Sequence, residues 1–73
     1  MRALTEEDTD VAELIDIDEF VGMVVEGEID DSDGMAQLVY EEDTLDTTEF
    51  SPSDVAFYMD VPEDVTHILW FKS

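Results

Sequence analysis

Apolar positions come in short blocks along this chain, and each block carries its own period. Val11, Leu14 and Ile15 fall at i, i+3 and i+4, behind hydroxyls at Thr5 and Thr9 that can cap and carboxylates at Glu6, Glu7 and Asp8 that suit a helix start. The spacing predicts a helix over 8–16. A competing alternation, Ile15, Asp16, Ile17, Asp18, has strand period and leaves the end of that helix open.

Residues 20–29 and 35–41 are rich in β-formers and flank Asp30, Asp31, Ser32, Asp33 and Gly34. A glycine after three carboxylates reads as the turn of a β-hairpin. Pairing Asp30 with Met35 sets Ile29 opposite Ala36, Gly27 opposite Leu38 and Val25 opposite Tyr40 on one face. Glu28 then faces Gln37, Glu26 faces Val39 and Val24 faces Glu41 on the other. A slip of one residue would mix the faces, which favours the four-residue loop.

Ser51, Pro52, Ser53 and Asp54 form a helix start, with Ser51 as cap and Pro52 at the first helical position. Val55, Tyr58 and Met59 supply its apolar stripe, and Pro62 requires it to stop near Asp60. Residues 65–71, Val-Thr-His-Ile-Leu-Trp-Phe, are apolar on both faces toward their end, as an inner strand would be. The expected fold is α+β: a small three-stranded antiparallel sheet with two short helices on it, in a single domain spanning 1–73. Glu-Glu-Asp-Thr occurs at both 6–9 and 41–44, but the flanking residues do not match and no internal repeat is read from it.

Charge changes the picture more than any motif. The 73 residues include 22 Asp or Glu against two basic residues, Arg2 and Lys72, for a net charge of -20 with His67 neutral. At 44% hydrophobic, the chain still has material for a modest core, which argues against full disorder. There is no cysteine, hence no disulfide, thiolate nucleophile or Cys-type zinc site. The longest apolar run, 20–25, is far short of a bilayer span, and the N-terminus turns acidic before a signal-peptide core could form. A cytoplasmic protein is expected. Anionic membranes and nucleic acid itself would be repelled, so the natural complement is a basic protein.

Candidate chemistry is sparse. An EF-hand reading of the 30–34 loop places Asp31 and Asp33 correctly before Gly34, but the first ligand position falls on Ile29 and the bidentate one on Tyr40. A hairpin turn accounts for the loop better. His67 has no second His or Cys to work with and sits in an apolar strand, so it reads as structural, and no nucleophile-elbow or phosphate-cradling motif is present. The chain is therefore read as non-enzymatic, without metal or cofactor. Tyr40, Phe57, Tyr58, Trp70 and Phe71, like Phe20 and Phe50, read as core before they read as a recognition patch.

The carboxylates themselves are the strongest candidate. Surface scaling gives a domain of this size roughly 4,600 Å², or about one net charge per 230 Å², whereas B-DNA as a cylinder carries about one per 107 Å². Confinement of the charges to half the surface would equalise the two. On the expected strand, Glu26, Glu28 and Asp30 alternate at roughly 6.7 Å, close to the spacing of phosphates along one DNA strand. Ordinary solubility needs a net charge of only about 2–8 in a small domain.

Size, charge and the lack of catalytic machinery resemble phage-encoded DNA-mimic inhibitors, which block restriction, CRISPR, repair or transcription proteins. The resemblance is one of composition across the whole chain, without a motif. It implies a nucleic-acid mimic that occupies the basic groove of a DNA- or RNA-handling protein in the host cytoplasm. Phosphate-like roles fall to Glu26, Glu28, Asp30, Asp31, Asp33, Glu41, Glu42 and Asp43, expected to cluster around the hairpin, with Asp16, Asp18 and Glu19 extending the surface. An acid-surfaced domain of a halophile and an acidic antitoxin-like binder of a basic protein are the alternatives. Repulsion between subunits of charge -20 opposes self-association unless the charges lie away from the contact, so monomer and dimer both stay open.

Overall fold

The computed structural model describes residues 1–73. Its centre is the strand that the sequence marks most clearly. β5 (Val65–Lys72) lies between β3 (Gly34–Tyr40) and β2 (Glu13–Asp16), while β4 (Thr44–Phe50) and the two-residue β1 (Arg2–Ala3) extend the sheet beyond β3. The order is β1-β4-β3-β5-β2 and every neighbouring pair is antiparallel. Five strands thus replace the expected three, although the α+β class stands. Two helices, α1 (Glu6–Val11) and α2 (Ile17–Val25), and a π-helical turn at Asp54–Tyr58 complete it.

Opposite sheet faces bury different sets of side chains. On one, Ile15, Ala36, Leu38, Ile68 and Trp70 pack with Phe20 and Val24 of α2 and Val55 of the π-helical turn. Phe20 is fully buried, its ring 5.4 Å from that of Trp70 and tilted by 54°. On the other face Val39, Leu45 and Leu69 are covered by Leu4, Ala12 and Phe71, from segments flanking α1 and the end of β5. This two-sided burial is why β5 is apolar on both faces over Ile68, Leu69 and Trp70.

The helix expected over 8–16 ends early. Thr5 starts it: its N–H and its hydroxyl donate to Asp8 Oδ2 at 2.8 and 3.1 Å. Ala12 then takes an extended conformation, φ -143° and ψ 159°, and Glu13–Asp16 pairs with β5 through Leu14 opposite Leu69 and Ile15 opposite Ile68. The sheet wins because pairing buries Ile15, whereas Val11, the first residue of the supposed helical stripe, is left 75% exposed.

The expected hairpin is also overturned on its first arm. Residues 17–25 are helical, with Asp16 Oδ1 accepting from the Asp18 N–H at the start, and Phe20 and Val24 one turn apart on the buried side. Burial of that i, i+4 pair against the sheet overrides the β-propensity of Val and Phe. The pairings expected for Ile29, Gly27 and Val25 do not form; Ala36 lies between Phe50 and Trp70, and Leu38 between Asp46 and Ile68. Glu26, Glu28 and Asp30 therefore do not alternate on a strand: Glu26 ends α2, and the others belong to the loop that follows.

The expected start at Ser51 is present, with the Asp54 N–H 3.3 Å from Ser51 Oγ and Pro52 buried in the first turn. Gly34 is needed where β3 meets the end of β5: a Cβ there would collide with the Phe71 carbonyl oxygen and lie 3.0 Å from Lys72 Cα.

Candidate functional site: two acidic ends of one sheet

Strand direction decides where the carboxylates go. β3 runs from Gly34 to Tyr40, and its partners reverse it, so Thr44 and Val65 lie at the Tyr40 end while Phe50 and Lys72 lie toward the Gly34 end. β2 finishes at the Tyr40 end, where Asp16 pairs with His67. Asp16, Asp18, Glu41, Glu42 and Asp43 are gathered there, and α2 then carries the chain back to Glu26, Glu28, Asp30, Asp31 and Asp33 at the Gly34 end. The residues expected around one hairpin form two groups. Six rises of about 3.4 Å make β3 about 20 Å long between the two ends.

Backbone ties hold the Tyr40 end. The Glu41 N–H donates to the Asp64 carbonyl at 2.8 Å and the Leu4 N–H to the Asp43 carbonyl at 2.7 Å. Glu42 and Asp43 both lie in the left-handed region, φ 67° and 56°, which closes the connection to β4 in three residues. Glu63 and Asp64 join this end because Tyr40 pairs with Val65. The half-buried Tyr40 has its hydroxyl pKa raised, chiefly by burial and then by the charges of Asp46 and Asp64.

The Gly34 end is held by its own side chains. Asp30 Oδ1 accepts from the Ser32 N–H at 2.9 Å and from the Ser32 hydroxyl at 2.6 Å; Asp33 Oδ2 accepts from the Asp30 N–H at 2.9 Å. Asp31 Oδ1 accepts from the Ser53 N–H at 2.8 Å, fastening the loop to the π-helical turn. The Ser32 hydroxyl and N–H hold the Asp30 carboxyl below its usual range. Glu19 joins neither end; it lines a cleft beside β2 with Glu13, Glu28 and Asp33. No three His, Asp or Glu side chains converge as a chelating group.

Only one carboxylate is neutralised by an ion pair. The Arg2 guanidinium donates to both oxygens of Asp8, at 2.8 and 2.6 Å, and fastens β1 to α1. With the Thr5 N–H and hydroxyl it holds the Asp8 carboxyl far below the ordinary range. A depressed carboxylate stabilises the fold above its unfolded pKa of about 3.9, and that contribution fades as pH falls through the folded value. Asp8→Asn should therefore lower Tm at pH 7, with the gap to wild type narrowing progressively below about pH 4. Paired thermal melts at pH 7 and pH 3 check this; an undiminished gap would assign the loss to packing.

Glu13, Glu63 and Asp64 escape a reading confined to the sequence, because their place follows from which strand ends meet. The accessible surface is 4551 Å², so net -20 averages about one charge per 230 Å². No helix is long and apolar enough to cross a membrane. Comparison with known protein families, with curated proteins and with solved structures finds no match to this chain.

Proposed function

We propose that this domain is a nucleic-acid mimic that occupies the basic groove of a DNA- or RNA-handling protein and excludes its substrate. The observation that carries the reading is a pair of acidic groups at opposite ends of β3, a strand about 20 Å long, whose carboxylates are left without ion pairs. A B-form duplex, a cylinder of about 10 Å radius, carries phosphates on its opposite sides. A basic cleft shaped for two phosphate strands would meet one carboxylate group with each wall. Backbone ties at Glu41 and Asp43 and the Asp30, Asp31 and Asp33 hydrogen bonds fix both groups before binding, which reduces the ordering cost of association.

The reading involves no catalytic step and no cofactor, and the cytoplasm is where it expects the target. Fast association with strong salt dependence follows from it. The test is affinity capture from the native host at about 0.15 M salt, followed by competition. A captured nucleic-acid-binding protein that duplex DNA or RNA displaces supports mimicry. A captured basic protein indifferent to both would sink it in favour of an antitoxin-like binder, and a chain that folds only above molar KCl would sink it in favour of a halophile's domain.

A further inference from the structure

Beside the Gly34 end, a cleft of about 370 Å³ opens between β2, α2, the loop after α2 and the end of β5. Its apolar lining comes from Leu14, Ile15, Met23, Ile29 and Trp70, and Glu13, Glu19, Glu28 and Asp33 supply carboxylates around it. Lys72 is the one cation among the lining residues and makes no ion pair, so the cleft stays net negative. Trp70 and Ile15 are buried, at 4% and 6% exposure, while the exposed Leu14 and the half-buried Met23 and Ile29 offer the accessible apolar wall.

We infer that this cleft receives an arginine side chain of the partner, an inference that rests on the proposed function only in requiring that partner to be basic. Arginine joins a three-carbon apolar stem to a planar cation that binds carboxylates through two parallel hydrogen bonds. The stem lies against Met23 and Ile29, and the guanidinium reaches the carboxylates of Glu19 and Glu28. An aliphatic residue would leave the four carboxylates unanswered, and a simple cation would leave the apolar wall bare. The cleft would thus add a shape-specific anchor to long-range attraction.

The probe is N-acetyl-arginine amide, titrated at fixed ionic strength and followed by backbone amide and Trp70 indole shifts. Saturable shifts confined to the cleft, at Leu14, Glu19, Met23, Glu28, Ile29 and Trp70, are expected, about tenfold weaker for the citrulline analogue, which lacks the charge, and several-fold weaker for methylguanidinium, which lacks the stem. Glu19→Gln combined with Glu28→Gln, both exposed positions, should weaken arginine binding by a similar factor while the melting curve shows the fold intact. Equal shifts with methylguanidinium, or shifts spread over both acidic ends, would overturn the inference. Those results would leave the mimic reading standing if duplex still displaces the captured partner; the reverse outcome, arginine held in the cleft and a partner indifferent to duplex, would retain the cleft and reject mimicry.

Discussion

Phe20→Ala is expected to leave most of the chain unfolded near physiological temperature. A domain of 73 residues has roughly 4–11 kcal/mol of stability at the usual per-residue values, and self-repulsion from a net charge of -20 favours the lower part of that range. Truncation of a fully buried phenylalanine costs about 3–5 kcal/mol through lost transfer energy and the cavity left behind. Phe20 is fully buried and meets Trp70 at 5.4 Å, so little of that loss can be recovered by collapse of the site. Phe57→Ala serves as the control: Phe57 is 58% exposed, and its removal should change stability by about 0.5 kcal/mol or less. Thermal melts followed by circular dichroism at about 0.15 M salt separate the two. A Phe20→Ala protein that melts like wild type would mean that α2 does not pack on the sheet.

The same residue shows why part of the fold cannot be read locally. Val21, Val24 and Val25 beside Phe20 favour a strand by propensity, and their helical state is fixed by a sheet whose other strands lie up to fifty residues away. β5 is legible because an inner strand apolar on both faces advertises itself. The start at Ser51 and Pro52 is legible because cap chemistry is local. β4 is not legible: Leu45 and Phe50 are its large apolar residues, and the register shift between Leu38 opposite Asp46 and Ala36 opposite Phe50 breaks the alternation between them. β2 is masked because Val11, Leu14 and Ile15 satisfy a helical period by coincidence, while Ala12 turns the chain to extended geometry.

For the candidate site, residue type was legible and grouping was not. Asp30, Asp31, Asp33 and Gly34 mark a structured turn, and Glu41, Glu42 and Asp43 mark a polar connection after an apolar strand. That these turns lie at opposite ends of the sheet depends on Glu26 and Glu28 following a helix instead of a hairpin arm. The difference converts one expected acidic strip into two groups at opposite ends of the sheet.

That separation leads to the largest effect expected on binding. Two triple variants remove charge from one end each: Glu41→Gln, Glu42→Gln and Asp43→Asn at the Tyr40 end, and Glu26→Gln, Glu28→Gln and Asp30→Asn at the Gly34 end. The fold should tolerate both, since asparagine accepts the left-handed conformation at Asp43 and retains a carbonyl acceptor for the Ser32 donors at Asp30. Steering by a concentrated field raises association rates by about 10–1,000-fold, so each triple should slow association with the captured partner about tenfold, and the two together about a hundredfold, with smaller changes in dissociation. The slope of log affinity against log salt should shrink with each triple, because fewer carboxylates are engaged. Rapid-mixing kinetics over a salt series measure both quantities. If one triple leaves rate and salt slope untouched, only one end meets the partner, and a groove built for two phosphate strands is no longer the complement of this surface.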